Sequence, residues 1–393
     1  MVDIAILYDR SESDELGIKL TAKHLGVELG YIPFYKVAFG FDNKGYSFRS
    51  GGRDYTDILG ETRVVLNRGQ SKNRRVFAAM IIESIGKSVV NPLAVELACQ
   101  SKIKSLLLFA ANGIKIPKTV YVPCNVREET SAGGSIDNSE SISRLIEDQL
   151  GSTVVIKPDA GTHGRSVTLA KSHQEMVELL HGVETGITNP AGVVAQEFID
   201  KWFYDLRIIV SKEKGKAPHC QPIALVRGGF KEFRTNTFLG NMVFHVDLPE
   251  RIRKDAERCG LALAGDSSAW LIALDAMPSI GTQKTADDSE LKAHLKALET
   301  PFAEVIKAKM DSNKKTQFEN YSRIVEKAYL SYKTTDDYSF VQMAVQESLD
   351  RASDCVLFHE GNSCPEFWEQ TRIIAGINVA EYLLQSAVSL IDR

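Results

Sequence analysis

The stretch Asp354 to Phe367, DCVLFHEGNSCPEF, decides how the rest of the chain is read. Its apolar run, Cys355 to Phe358, predicts a buried strand that ends at two hard oxygen donors, Glu360 and Asn362. One residue between them puts both side chains on the same side of an extended backbone. Two oxygens can then face one cation while water and phosphate fill its remaining positions, which is the chemistry of Mg²⁺. Pro365 stops the strand. In isolation the same letters also describe an ordinary strand followed by a polar turn. The remainder of the chain therefore has to supply, or fail to supply, a nucleotide for the metal.

Immediately upstream, Pro278 to Ser353 is dense in Lys, Asp and Glu, yet Leu291, Leu295, Leu298, Phe302, Val305 and Ile306 recur at helical spacing, as do Phe318, Tyr321, Ile324, Val325 and Tyr329. Two or three amphipathic helices are expected, inserted between strands that would otherwise be neighbours. They would form either a solvated helical hairpin closing part of the core or a lid or partner surface. Before the insertion lies an apolar strand, Trp270 to Met277, with Asp275 near its end and Asp266 in the loop ahead of it.

Further outward the chain alternates strands and helices. Asp3 to Tyr8 and Thr62 to Leu66 read as buried strands, each followed by a helix (Glu15 to His24, Arg75 to Ile85), and Ser88 to Val90 is a short third strand. That order implies an open, mostly parallel sheet. Helices then follow from Pro92 to Cys99 and from Lys102 to Ala111, with Gly113 at the C-cap. Thr119 to Val122 is a strand, Ser131 to Asn138 a polar loop and Ser139 to Leu150 a helix. From Gly151 the pattern is strand (Thr153 to Ile156), glycine-bearing loop (Gly161 to Arg165), strand (Val167 to Ala170), helix (Gln174 to Val183) and strand (Gly192 to Phe198), a small α+β unit. Strands Leu206 to Val210 and Pro222 to Arg227 and a helix, Glu250 to Gly260, complete the chain.

At 393 residues the chain exceeds a usual single domain, and two or three packed units are expected. A net charge of -4 argues against a nucleic-acid carrier held by bulk electrostatics. The six cysteines are scattered, with no C-x-x-C pair, so zinc or redox chemistry is not indicated. No apolar run approaches a membrane span, and MVDIAILYDR is too short and too acidic for a signal peptide. The expectation is a cytoplasmic protein without nucleic-acid or membrane partners.

Two lysines interrupt apolar patterns beside loops. Lys157 follows the strand Val154 to Ile156 and precedes PDAGTHGRS, where Gly161 and Gly164 would let backbone N–H groups approach phosphate oxygens. Neither a Walker A nor a G-x-G-x-x-G pattern is present. Arg68, Lys72, Arg74 and Arg75, in LNRGQSKNRR, follow a strand of the first unit, and C-terminal strand ends face the ligand crevice of an α/β sheet. These four, Arg68 and Arg74 foremost, are therefore expected to attract an acidic substrate, the bland alternative being a solvated helix start.

The combination comes in a fixed order: Asn91-Pro92, Lys102, GIKIPKT at Gly113 to Thr119, VVIKPDAGTHGRSV at Val154 to Val167, VAQEFID at Val194 to Asp200, DLR at Asp205 to Arg207, FRTN at Phe233 to Asn236, Asp275 and HEGNSCPEF. This order resembles the ATP-grasp superfamily, and within it the RimK-type amino-acid ligases, over nearly the whole chain except the insertion. The resemblance implies an α/β and α+β fold. An N-terminal open parallel-sheet domain (1–92) would precede a central lobe with a phosphate flap (93–196) and a C-terminal lobe (197–393) carrying the helical insertion at about 278–353, the two lobes clasping ATP.

The resemblance also implies roles. Lys102 and Lys157 would hold the ATP phosphates under a flap formed by Gly161, Gly164, Arg165 and Ser166. Gln196, Glu197 and Ile199 would meet adenine and Asp205 the ribose, while Asp275, Glu360 and Asn362 would bind two Mg²⁺ ions bridged by Glu360, with Mn²⁺ an alternative. Arg207, Arg234 and Asn236 would surround the transferred phosphoryl group and the acyl substrate, with Arg227 on the next strand. The departures are Ser101 where an acid commonly precedes the first lysine, Ser166 where glycine is common, and Asp266 as a competitor for Asp275. The expected activity is a carboxylate–amine ligase acting through an acyl phosphate on a small-molecule or carrier-protein carboxylate and an amino-acid amine. An ATP-grasp phosphotransferase and a non-catalytic ATP-binding scaffold are the alternatives, and self-association is left open.

Overall fold

A computed structural model describes residues 2–129, 131–159, 166–183, 192–235, 240–310 and 312–391. The N-terminal sheet is parallel, in the order Leu29–Pro33, Ile4–Tyr8, Val64–Arg68, Ser88–Val90. Val64–Arg68 is buried along its whole length, as expected for a strand covered on both faces. Helices Ser13–Leu25 and Lys72–Ser84 follow the strands Ile4–Tyr8 and Val64–Arg68. Their N-terminal ends therefore lie at the carboxyl edge of the sheet, where ligands of such sheets bind. The sequence pattern did not disclose an antiparallel ribbon, Val37–Asp42, Gly45–Ser50 and Arg53–Asp54. Most of its side chains are at least partly exposed, so no apolar stripe marks it.

The central sheet is antiparallel, in the order Thr168–Ala170, Val154–Pro158, Val193–Glu197, Thr119–Val122. Helices Ser139–Leu150 and His173–Leu180 pack on it through Ile142, Ile146, Met176 and Leu180. The polar segment expected as a loop, Ser131 to Asn138, contains a strand instead, Ser135–Asp137, which pairs with Arg127–Glu129 ahead of it. Residues 135–137 are exposed, which explains the missing apolar signal.

The C-terminal sheet runs Met242–Asp247, Ile223–Gly228, Tyr204–Lys212, Trp270–Pro278, Val356–Asn362, all antiparallel. Its last two strands are hydrogen-bonded neighbours although 77 residues separate them in sequence, from Ser279 to Cys355. The intervening segment forms four helices, Asp288–Ala297, Glu299–Lys309, Phe318–Lys333 and Asp336–Arg351, rather than two or three. The first two divide at Leu298, which is itself buried, so the apolar repeat runs across the break. They close part of the core, as the first of the two expectations had it: Phe302, Tyr329, Tyr332 and Val341 share one core with Phe244, Leu274 and Phe358 of the sheet.

Polar and close-packed contacts fix the N-terminal sheet against the C-terminal one. The buried Asn91 side chain donates to the Leu271 carbonyl (2.6 Å) and the Ser363 carbonyl (2.7 Å) and accepts from the Leu271 N–H (2.8 Å). The Asp14 carboxylate caps the backbone N–H groups of Phe367 and Trp368. A Cβ on Gly17 would stand 2.1 Å from the Trp368 ring, so only glycine lets that helix approach. The segment after Glu360 is thereby held on the N-terminal unit. Among the described residues no helix is long and apolar enough to cross a membrane, and all six cysteines are free thiols.

Candidate active site

A cavity of about 400 Å³ opens where the three sheets meet. The central sheet contributes Lys157 and Gln196, the C-terminal sheet Asp205, Arg207, Asp275 and Glu360, and the N-terminal unit Lys72. Two lining atoms, Gln196 Oε1 and His359 Nε2, are buried without a hydrogen-bond partner. Unpaired buried polar atoms of this kind suit a polar ligand that would satisfy them.

Lys102 and Lys157 are delivered together. Lys102 opens the helix Lys102–Ala111, whose N-cap Ser101 accepts from the Lys104 N–H. Asp159, two residues beyond Lys157, accepts from Ser101 Oγ (2.9 Å) and from the Ile103 N–H (2.8 Å), and its carbonyl accepts from the Lys102 N–H. Ser101 is thus a capping residue, and the acid beside the first lysine comes from Asp159, an assignment invisible in linear spacing. Both lysines are buried. Burial lowers the Lys102 ammonium, with Glu360 opposing the shift. Burial and the neighbouring Lys102 charge push Lys157 down to about 7.

Asp275 and Glu360 are cross-strand partners, and the Asn362 amide donates to Asp275 (3.4 Å). The strand carrying Glu360 ends at Asn362, where the sequence placed its end. A bulge interrupts the ladder: Asp275 faces Glu360 while Ala276 faces Phe358, so His359 is an extra residue. Two consecutive side chains, His359 and Glu360, therefore line the cavity. Asp266, the competitor for Asp275, is exposed in the turn before Trp270 and is not among the lining residues.

The carboxylates here are heavily neutralised. Arg207 grips Asp275 through two bonds of 3.0 Å, and Arg227 grips Asp205 at 2.8 and 3.0 Å while reaching Asp275 at 3.3 Å. Burial disfavours ionisation of Asp275, but the Arg207 and Arg227 guanidiniums overcome it and hold the acid well below the carboxylate range. Burial likewise opposes ionisation of Glu360, yet Lys102 and Lys72 bring it down to about 2. Burial and the Lys157 charge press His359 down to about 4, so its imidazole is neutral. Among the described residues no three His, Cys, Asp or Glu side chains form a ready-made metal cluster. Two carboxylates and an amide, all oxygen donors on adjacent strands, nevertheless fit a hard cation whose other positions are filled by phosphate and water.

Several expected roles meet a different environment. Arg68 is buried and spent on Glu15 (3.1 Å), Asp14 (3.4 Å) and the Pro365 carbonyl, and Arg74 pairs with Asp9 (3.2 Å). Neither is among the residues that line the cavity. The helix starts at Lys72, and it is Lys72 that turns inward, its Nζ 3.2 Å from Glu360. Asp205, expected on a ribose, is a buried counter-ion whose two oxygens are held by Arg227 and Thr235. Arg227 and Arg234 do line the cavity, Arg234 with its Nε 2.6 Å from Glu232. Lys201, half-buried and donating to Thr235 at 2.9 Å, is a further lining cation that the sequence pattern did not single out.

The segment Gln196 to Ile199 lines the cavity and is pinned to its neighbours. Gln196 Nε2 donates to Thr119 (2.9 Å), Glu197 exchanges bonds with the Lys118 backbone at 2.7 and 3.0 Å, and the Ile199 carbonyl accepts from the Lys201 N–H at 2.8 Å. Ser166, where glycine was expected, has φ 55°, in the left-handed region that favours glycine. Gly161, Gly164, Arg165 and Asn236 lie outside the described residues.

Residues 99–269 match the family described as the RimK-like ATP-grasp domain. Over 251 residues the chain is 25% identical to the alpha-aminoadipate–LysW ligase LysX of Sulfurisphaera tokodaii, covering 64% of this chain and 77% of that protein. It is 27% identical over 206 residues to the coenzyme gamma-F420-2:alpha-L-glutamate ligase of Methanocaldococcus jannaschii, covering 50% of this chain and 60% of that one. A RimK domain ATP-grasp protein from Sphaerobacter thermophilus superposes with a TM-score of 0.54 at 14% identity, over 98% of this chain and 99% of that one, a likeness of fold. Set beside the paired lysines facing an Asp, a Glu and an Asn across one cavity, these matches identify residues 99–269 as similar to the RimK-like ATP-grasp domain.

Proposed function

We propose that this protein is an ATP-dependent carboxylate–amine ligase that forms an amide through an acyl phosphate. The observation that carries the reading is the convergence of Lys102 and Lys157, anchored by Asp159, against Asp275, Glu360 and Asn362 around one cavity. In the first step a carboxylate oxygen attacks the terminal phosphorus of ATP and the bond to ADP breaks. In the second the amine nitrogen attacks the acyl carbon, the carbon–oxygen bond to phosphate breaks, and the nitrogen gives up a proton. No side-chain nucleophile is needed. Catalysis rests on positioning and on cancelling charge as it moves between oxygens.

In this reading Lys102 and Lys157 hold the phosphates and the Gln196 to Ile199 segment takes the base. Asp275, Glu360 and Asn362 would bind one or two Mg²⁺ ions, or Mn²⁺, which when bound would polarise the phosphoryl oxygens. Arg207 and Arg227 keep Asp275 ionised until a cation replaces part of their charge. For function we divide the chain into 1–92, 93–196 and 197–393, with an insertion at about 278–353. The names of the relatives, an aminoadipate–LysW ligase and a glutamate ligase, favour an amino-acid amine and a small-molecule or carrier-protein carboxylate.

Purified protein with Mg·ATP, a panel of carboxylates and hydroxylamine should release ADP and accumulate a hydroxamate. ADP release with no hydroxamate from any carboxylate would count against the ligase.

A further inference from the structure

Lys72 enters the cavity from the N-terminal unit, as the first residue of the helix Lys72–Ser84, and its side chain is only 10% exposed. Its ammonium lies 3.2 Å from Glu360 Oε1, and that of Lys102 lies 3.5 Å from the same oxygen. One carboxylate oxygen therefore holds two cations from two different parts of the fold. Lys102 is tied to the central sheet through Asp159, whose carbonyl its ammonium also approaches at 3.5 Å. Among the described residues Glu360 is the one acid paired with Lys72.

We propose that Lys72 is the binding cation for the acyl substrate's carboxylate, exchanged from Glu360 to that carboxylate when Mg·nucleotide enters. The inference rests on the ligase reading above. An oxygen that must face a metal cannot also keep two ammonium partners. Of the two, Lys102 has the Asp159 carbonyl to fall back on and Lys72 has no second acid. A buried ammonium stripped of its partner is strongly disfavoured unless another anion arrives. The nucleotide phosphates are met from the central sheet by Lys102 and Lys157. The remaining anion in a ligase is the carboxylate about to be phosphorylated, and Lys72 approaches Glu360 from the unit that bears neither of those lysines. The exchange also orders the reaction, because the carboxylate gains its cation only after nucleotide and metal have claimed Glu360.

The test uses the full-length protein with Lys72→Met and Lys72→Arg, AMPPNP as the nucleotide probe, and free and peptide-linked amino acids as carboxylates with hydroxylamine as the amine. Lys72→Met should leave the Mg·AMPPNP dissociation constant within about threefold and raise the carboxylate KM about 30-fold or more, with a smaller fall in kcat. Lys72→Arg should recover part of that KM, and the thermal midpoints should match the parent's. An unchanged carboxylate KM would make Lys72 a mere counter-ion of Glu360. A loss of Mg·AMPPNP affinity of about tenfold would assign it to the nucleotide. Either result overturns the proposal while leaving wild-type turnover intact. A wild-type protein that forms no hydroxamate from any carboxylate would overturn the ligase reading and this proposal with it.

Discussion

Lys157 is a buried cation beside another buried cation, and its ionisation should report on the ligand. Burial and Lys102 bring it down to about 7 in the free protein. The unfolded chain binds more protons than the folded one between that value and the ordinary lysine range, so this group makes stability rise with pH across that window. Polyphosphate favours the charged form, so nucleotide binding above pH 7 should take up a proton. Affinity should then fall as pH rises, by at most about tenfold per unit. Calorimetric titration at pH 8 in buffers of different ionisation heat should show uptake approaching one proton, and zero uptake would contradict the placement. Asp159 is the complementary case. It clamps the start of the Lys102 helix through Ser101 and Ile103, so Asp159→Ala should cost about 1–2 kcal/mol in urea unfolding, as loss of a helix cap does. It should also weaken nucleotide binding, because Lys102 loses its anchor. The two lysines were legible in the sequence because each breaks an apolar pattern. Lys72 was legible only as one of four basic residues, and Asp159 and Lys201 were not legible, because their importance lies in partners far away in the chain.

Elements with strong periodicity were readable to their ends: Lys102–Ala111, Thr119–Val122, Ser139–Leu150 and Ser88–Val90 all lie where the pattern put them. Others could not be read. The ribbon from Val37 to Asp54 is largely exposed, and the bulge at His359 is a property of register between strands joined through a long insertion. The Lys72–Ser84 helix starts three residues earlier than its apolar repeat suggests, so that both Lys72 and Arg75, which line the cavity, belong to it. In the insertion the correction is the number of helices, four rather than two or three. Because Phe302 is buried in the core of the C-terminal sheet and also lines the cavity, Phe302→Ala should cost about 3–5 kcal/mol in urea unfolding. A loss below about 1 kcal/mol would mean that the helices pack independently of the sheet.

Across the whole molecule three sheets meet at one cavity, and each supplies charge that the others balance. Asp275 and Glu360 are held ionised by Arg207, Arg227, Lys102 and Lys72 while no cation is bound. A divalent ion arriving alone would have to displace these partners with no phosphate to complete its shell. It should therefore bind with nucleotide and not before it: Mg²⁺ titrated into free protein should give no saturable heat at millimolar concentration, and AMPPNP should make binding saturable. Tight metal binding without nucleotide would contradict this balance of charges. The account's central claim, that a carboxylate is phosphorylated in this cavity, is tested most directly by isotope transfer. With a carboxylate substrate labelled with ¹⁸O in its carboxyl group and an amine acceptor, the account predicts one ¹⁸O atom in the inorganic phosphate released per amide formed. Phosphate carrying no label would contradict it.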